Sequence, residues 1–250
     1  MFFFKNLFSF KKKRADLAAQ GPLFDFLKSI LGYYPENIYV FTEAFTHRSA
    51  QKKDDKGNSI NFERLEFLGD ALLGASAATH LYYKAPEQQE GYLTKMRSKI
   101  VSRKQLNSIS KQLGLLNYLE PKNNHANLGE DVNGDLLEAL VGAIYVDKGA
   151  KAVEDFIKIK IIDPYADLDR LESTITSHKS LILEWSQKTR NTLRFNTFEE
   201  QNAEDLQVFV SVIRLNDKVI SKGRGTSKKK AEESASKRAY YTLQKKIENI

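Results

Sequence analysis

Glu63, Glu66 and Asp70 are spaced i, i+3 and i+7 in the stretch Asn61-Phe-Glu-Arg-Leu-Glu-Phe-Leu-Gly-Asp-Ala-Leu-Leu73. On a helix, at about 100° per residue, that spacing keeps all three carboxylates within roughly 60° of one another. Leu65, Leu68, Leu72 and Leu73 lie largely away from that line, so an acidic stripe is set into an otherwise apolar helix. Like charges on one face repel, and burying them unpaired costs several kcal/mol. A divalent cation would offset that cost. Taken alone, the stripe also fits a solvated face with Glu63 or Glu66 paired to Arg64. Asn61 is a capping residue type for a helix that begins at Phe62.

A second stretch weighs against the solvated face. Asp135-Leu-Leu-Glu138-Ala-Leu-Val-Gly-Ala-Ile-Tyr-Val146 places Asp135 and Glu138 at i, i+3 at the start of a helix whose run Ala139 to Val146 reads as core. Packed side by side, the two helices would gather four carboxylates, a hard, all-oxygen donor set suited to Mg²⁺. With no Cys and four His in the chain, a zinc site is not expected.

The stretch Phe62 to Leu73 resembles the signature of the ribonuclease III family, and Asp135 to Asp147 is similar to the family's second acidic motif. Phe45-Thr-His-Arg-Ser49 resembles a segment upstream, and Glu90-Gly91 with Met96-Arg97 a segment between the motifs. The resemblance implies an all-α endonuclease domain with Glu66, Asp70, Asp135 and Glu138 as metal ligands, of which Asp70 and Glu138 serve catalysis directly. It implies that Glu63 and Glu90 support those ligands or touch a partner subunit. Gly69, central on the signature helix, would permit close helix approach at a dimer face.

At 250 residues the chain has length for one or two domains with a substantial core. The longest run without Asp, Glu, Lys or Arg is Ala71 to Tyr83, 13 residues, against about 20 for a spanning helix, so no membrane segment is expected. The absence of Cys allows a reducing compartment, and a cytoplasmic location is the expectation. The net charge of +7 is unevenly spread. Residues 1–20 hold five basic and one acidic residue, residues 177–250 fifteen and nine, and residues 21–176 nineteen and twenty-two. A basic end suggests a polyanion partner, and an acidic middle a metal-binding body.

Residues 1–20 read as an aromatic then basic tail, whose Lys5 interrupts any signal-peptide core. Residues 21–166 read as the catalytic domain, with helices before and after Pro35 and a polar loop from Gln51 to Ser59. His47 reads as a structural contact or a hydrogen-bonding group near the acidic residues. Tyr92 to Ile109 reads as one basic helix bearing Lys95, Arg97, Lys99 and Arg103, which face solvent or phosphate. Lys151 to Ile162 reads as an amphipathic helix stopped by Pro164. Residues 167–176 read as a linker in which Leu168 and Leu171 can dock on the first domain.

From Ser177 the period changes. A helix to Arg190 is followed by alternation at Leu193, Phe195 and Thr197 and at Val208, Val210 and Val212, a turn at Asn216-Asp217, and a helix from Lys228 to about Lys246. Residues 177–247, α-β-β-β-α, resemble a double-stranded RNA-binding domain. Lys179 to Trp185 is similar to its first helix, and Gly223-Arg-Gly-Thr-Ser-Lys-Lys-Lys to the start of its second. The resemblance implies RNA contacts at Lys179, Glu184, Lys228 and Lys229, the last two at the positive end of a helix dipole. Two departures weaken that expectation. Leu183 stands where the family commonly has Gln, and Gln201-Asn-Ala-Glu204 replaces the loop that enters the minor groove.

The family resemblance implies a homodimer that cuts double-stranded RNA with Mg²⁺, or Mn²⁺ as a substitute, leaving 5′-phosphates and short 3′ overhangs on ribosomal, messenger and other structured precursors. A binding-only RNA protein and a nucleotide phosphohydrolase are the rivals. The acidic motifs disfavour the first and the basic C-terminal domain the second.

Overall fold

A computed structural model describes residues 21–122, 128–129, 131–173, 177–201 and 207–247. The N-terminal tail and the stretch Asn202 to Glu204 lie outside the described residues. The chain divides after Glu172 into two compact units.

The first unit is helical: α1 (Pro22–Leu31), α2 (Ile38–Ala44), α3 (Glu63–Lys84), α4 (Glu90–Ile100), α5 (Arg103–Leu113), α6 (Val132–Lys148), α7 (Ala150–Ile157), α8 (Asp163–Tyr165) and α9 (Leu168–Ser173). Its core is built around α6. Leu136, Leu137, Ala139, Leu140, Val141, Ala143 and Ile144 are all fully buried. A helix apolar on every side must be wrapped by others, and this one is. Tyr145 and Val146, expected in the core, are exposed. Along α3 only one side is buried, through Leu65, Leu73, Ala77 and Leu81. Asn61 Oδ1 accepts from the Glu63 N–H at 3.0 Å, so α3 starts one residue later than the capping pattern suggested. The Phe62 N–H donates to the Thr46 carbonyl at 2.9 Å, and Thr46 in turn bridges Glu120. The Phe45-Thr-His segment is thereby fixed against the start of α3.

The expected single helix from Tyr92 to Ile109 is two helices. Ser102 Oγ accepts from the Gln105 N–H at 3.3 Å, capping α5 and breaking the run. The helix expected to stop at Pro164 leaves the α geometry earlier, at Ile157, through a π turn over Lys158–Ile162. Pro164 instead lies in the first turn of α8, where its missing N–H removes no bond. The stretch 167–176 is helical over Leu168–Ser173. Leu171 is buried in the first unit's core with Leu168 packed against it. Buried Lys99 donates from Nζ to the Leu171 carbonyl at 2.6 Å, and Tyr92 donates from its hydroxyl to Glu172 Oε1 at 2.6 Å. A cation on the last carbonyls of a helix is a favourable end.

The second unit is α10 (His178–Lys188), β1 (Leu193–Gln201), β2 (Gln207–Leu215), β3 (Lys218–Gly225) and α11 (Lys228–Ile247), with an antiparallel sheet in the order β1-β2-β3. Asn216 and Asp217 take φ of 48° and 67°, the left-handed pair that a tight hairpin requires. That turn sets the parity of β2. Leu193, Phe195 and Thr197 pair with Leu215, Ile213 and Ser211. These share the face that packs on Ile182, Ala235, Ala239 and Tyr240. Val208, Val210 and Val212 therefore lie on the opposite face, beside Glu200, Phe198 and Asn196. The glycines before α11 serve packing: a Cβ on Gly223 would lie 2.2 Å from the Ala235 nitrogen, and one on Gly225 2.5 Å from that of Ala231.

Candidate metal centre

Two helices carry the acidic site, and a glycine on each lets them meet. Gly69 of α3 lies against the main chain of Glu138, and Gly142 of α6 against that of Leu65. The close approach expected at Gly69 is thus made inside the chain, with the second acidic helix, and not at a dimer face. The crossing brings Glu66, Asp135 and Glu138 together, with one carboxylate oxygen from each within 4.8 Å of the others. Asp70, one turn beyond Glu66, stands exposed and outside this group, although its charge acts on Glu138.

Glu138 is 6% exposed. Burial, with the charges of Asp70, Asp135 and Glu66 and against the pull of Arg103, pushes its carboxyl up to about 7. Burial also raises Glu66, reinforced by Asp135. At Asp135 burial outweighs the guanidinium bonded to it, so that carboxyl too is raised. Three carboxyls whose charged form is disfavoured, in one half-buried place, are what a hard divalent cation relieves.

The residue that the sequence reading did not place here is Arg103. From the start of α5 its Nη1 bonds Asp135 Oδ1 and lies 3.9 Å from Glu138 Oε2. A basic residue 30 positions after Leu73 and 32 before Asp135 gives no local signal of this. The acidic stripe's need for a counter-cation was the available hint. His47 also faces the site electrostatically, through Asp135. Its Nδ1 accepts from the Ser49 N–H at 3.2 Å, which leaves Nε2 to carry the proton of the neutral ring.

Glu63 is turned away, paired with Arg48 at 3.6 Å in solvent. Glu90 accepts from Thr94 Oγ1 at 3.1 Å and lines a groove of about 390 Å³ with Tyr82, Tyr83 and Arg97. Of the expected basic face on α4 and α5, Lys99 is spent on the Leu171 carbonyl and Arg103 on the Asp135 carboxylate. In the second unit Lys179 Nζ pairs with Glu232 Oε2 at 2.7 Å and lies 4.8 Å from the centre of the Phe195 ring. Glu232 also accepts from Thr197, so this lysine ties α10 to α11 and β1. Glu184 pairs with Lys188 at 3.5 Å. Lys228 and Lys229 are exposed on the first turn of α11, where Ser227 Oγ accepts from the Lys230 N–H at 3.2 Å.

Residues 37–165 match the family model described as ribonuclease-III-like, and residues 178–243 that of the double-stranded RNA binding motif. The chain is 48% identical over 248 residues to the Ribonuclease 3 of Flavobacterium psychrophilum, covering 99% of each. It is 49% identical to that of Zunongwangia profunda, covering 91% of this chain and 93% of the relative. Among solved structures it is similar to the nuclease domain of ribonuclease III from Campylobacter jejuni, with a TM-score of 0.51, 28% identity, and coverage of 60% of this chain and 100% of that one. A second structure of that domain concerns flexibility in the region involved in its dimer formation, at a TM-score of 0.50, 28% identity, and coverage of 57% of this chain and 99% of that one.

Proposed function

This chain belongs to the ribonuclease III family, and on that premise we propose that it is a double-stranded RNA endoribonuclease. It hydrolyses phosphodiesters to leave 5′-phosphates and short 3′ overhangs, in the processing of ribosomal and other structured RNA precursors. The observation that carries the reading is the gathering of Glu66, Asp135 and Glu138 at the crossing of α3 and α6.

Mg²⁺ fits this donor set, with Mn²⁺ as a substitute, since all the ligands are carboxylate oxygens. Bound there, the cation would supply an activated water and neutralise charge on the phosphate. Glu66, Asp135 and Glu138 hold it, with Asp70 completing the set from the exposed side. The buried setting of Glu138 keeps the ligand charges in a region of low dielectric, where they act most strongly on the cation. Glu63 and Glu90 support the site or the partner subunit. The working division is a catalytic domain over 21–166, a connection over 167–176 and an RNA-binding domain over 177–247.

Duplex RNA is the substrate class because a basic α-β-β-β-α unit accompanies the nuclease unit. Lys228 and Lys229 meet its phosphates, and Lys179 and Glu184 belong to the same binding face. The active form is a homodimer through the first unit, one strand being cut by each subunit. Phe67, beside Glu66 on α3, is 81% exposed, which suits burial against a second copy. No helix among the described residues is long and apolar enough to cross a membrane, and a cytoplasmic location is part of the proposal.

Incubation of a long duplex RNA with the protein in Mg²⁺ and in EDTA tests the reading. Cleavage to short fragments in Mg²⁺ alone is expected. Binding without cleavage in either would leave an RNA-binding protein instead.

A further inference from the structure

The position a metal must take is already held by a positive charge. Arg103 is the first residue of α5, and its guanidinium bonds Asp135 and stands 3.9 Å from Glu138 Oε2. Space for it is made by Gly134, where a Cβ would fall 3.2 Å from both Cδ and Nη1 of Arg103. The first turn of α6 is thus shaped around this side chain. Its hold is not closed: the Arg103 side chain is 46% exposed. Its outer side opens on a groove of about 420 Å³ lined by Lys104, Asn107, Ser108, Lys111 and Asp131. A divalent ion and a guanidinium on the same two carboxylates repel each other strongly at such separations, so a metal that enters must drive Arg103 outward.

We infer that Arg103 is a resident cation that competes with the metal and sets the concentration at which the site fills. This rests on the reading of Glu66, Asp135 and Glu138 as metal ligands. Before the metal arrives, Arg103 neutralises carboxylates that would otherwise repel, and it keeps Asp135 and Glu138 in place. Once displaced, it adds its charge to the groove beside Lys104 and Lys111, on the outer side of the site. It is a positioning residue, acting through the ligands it releases.

The test is calorimetric titration of Mn²⁺ into the full-length protein without RNA, for the parent, Arg103→Gln and Arg103→Lys, with melting temperatures in EDTA and in Mn²⁺. Removal of one unit charge at this range predicts about tenfold tighter Mn²⁺ binding in Arg103→Gln. Arg103→Lys, which keeps the charge, should stay near the parent. Arg103→Gln should also melt lower than the parent in EDTA and gain more from Mn²⁺. Equal or weaker Mn²⁺ binding in Arg103→Gln, with the parent binding normally, overturns the competition. Failure of all three proteins to bind Mn²⁺ overturns the metal-ligand reading itself, and this inference with it.

Discussion

The carbonyl oxygen of Glu138 lies 1.7 Å from where a Cβ on Gly69 would stand, so the two acidic helices touch main chain to main chain at Glu138 itself. The same contact recurs in reverse one turn away, where a Cβ on Gly142 would fall 2.2 Å from the Leu65 carbonyl. The separation of Glu66 from Glu138 is therefore set by backbone, which does not adapt by changing rotamer.

Gly69→Ala should accordingly do more than a usual overpacking change. Overpacking of cores costs about 1–3 kcal/mol, and here the clash is with a rigid carbonyl. A loss at or beyond the upper end of that range is expected in urea unfolding, together with weakened Mn²⁺ binding. A variant of parental stability would show that the crossing can open freely and does not set the site's geometry.

Glu138→Gln should keep the fold and duplex binding and nearly abolish cleavage, because it removes the charge of a proposed ligand without changing shape. It also carries a pH signature. The Glu138 carboxyl is raised from 4.5 to about 7 in the folded protein. The folded state then holds a proton that the unfolded state has lost, and stability falls as pH rises through that window. Below it both states are protonated, and above it the loss is complete. In EDTA the parent should lose stability relative to Glu138→Gln as pH is raised from about 5 to 8. The titration belongs to the coupled carboxylates as a group. Saturating Mg²⁺ should flatten the difference, since the cation replaces the proton. Parallel stability curves for the two proteins in EDTA would contradict the burial of this charge.

Phe67→Glu should give a monomer, read by sedimentation of the full-length protein at micromolar concentration. An exposed phenylalanine next to Glu66 has little reason to face water, and a carboxylate there would place a buried charge in the interface. Stability of the monomer fold should change little, because the side chain is 81% exposed. A variant that remains dimeric would place the interface elsewhere on the first unit.

What the sequence made legible was periodicity and the chemistry of short motifs. The stripe Glu63-Glu66-Asp70 and the pair Asp135-Glu138 could be read as two acidic helices because their spacing is local. The turn at Asn216-Asp217 was legible for the same reason. Arg103 and Lys99 were not, because a solvent-facing base and one bonded inside the fold carry the same pattern within one basic stretch. Only the fold decides that Lys99 reaches Leu171 and Arg103 reaches Asp135. Gly69 announced a close approach but not its partner. On β2 the alternation was legible but not which face packs on the helices: Val210 and Ser211 are both fully buried, on opposite faces, and Ser211 accepts from Thr197 at 3.0 Å. A polar residue satisfied in the core defeats a reading by hydrophobicity alone.

The lysines proposed to meet RNA differ in their commitments, and this yields the last prediction. Lys179 is paired with Glu232 at 2.7 Å, and Glu232 is held by Thr197 as well. The lysine lowers the Glu232 carboxyl below its usual range by that hydrogen bond. Lys228 and Lys229 stand exposed at the amino end of a 20-residue helix, where charge, dipole and N–H groups point the same way. Removing Lys228 and Lys229 together, by Ala substitution, should therefore weaken duplex binding without unfolding the unit. Phosphates carry no sequence information, so the loss should be similar for duplexes of any sequence. The slope of log K against log salt should fall by about one for each phosphate contact removed. Lys179→Met should behave oppositely: it strands Glu232, lowers the melting temperature of the second unit, and leaves the salt slope closer to the parent's. Fluorescence titrations of a duplex across a salt series, beside thermal melts of the same three full-length proteins in EDTA, make the comparison. A salt slope unchanged in the double Ala variant but reduced in Lys179→Met would reverse these roles.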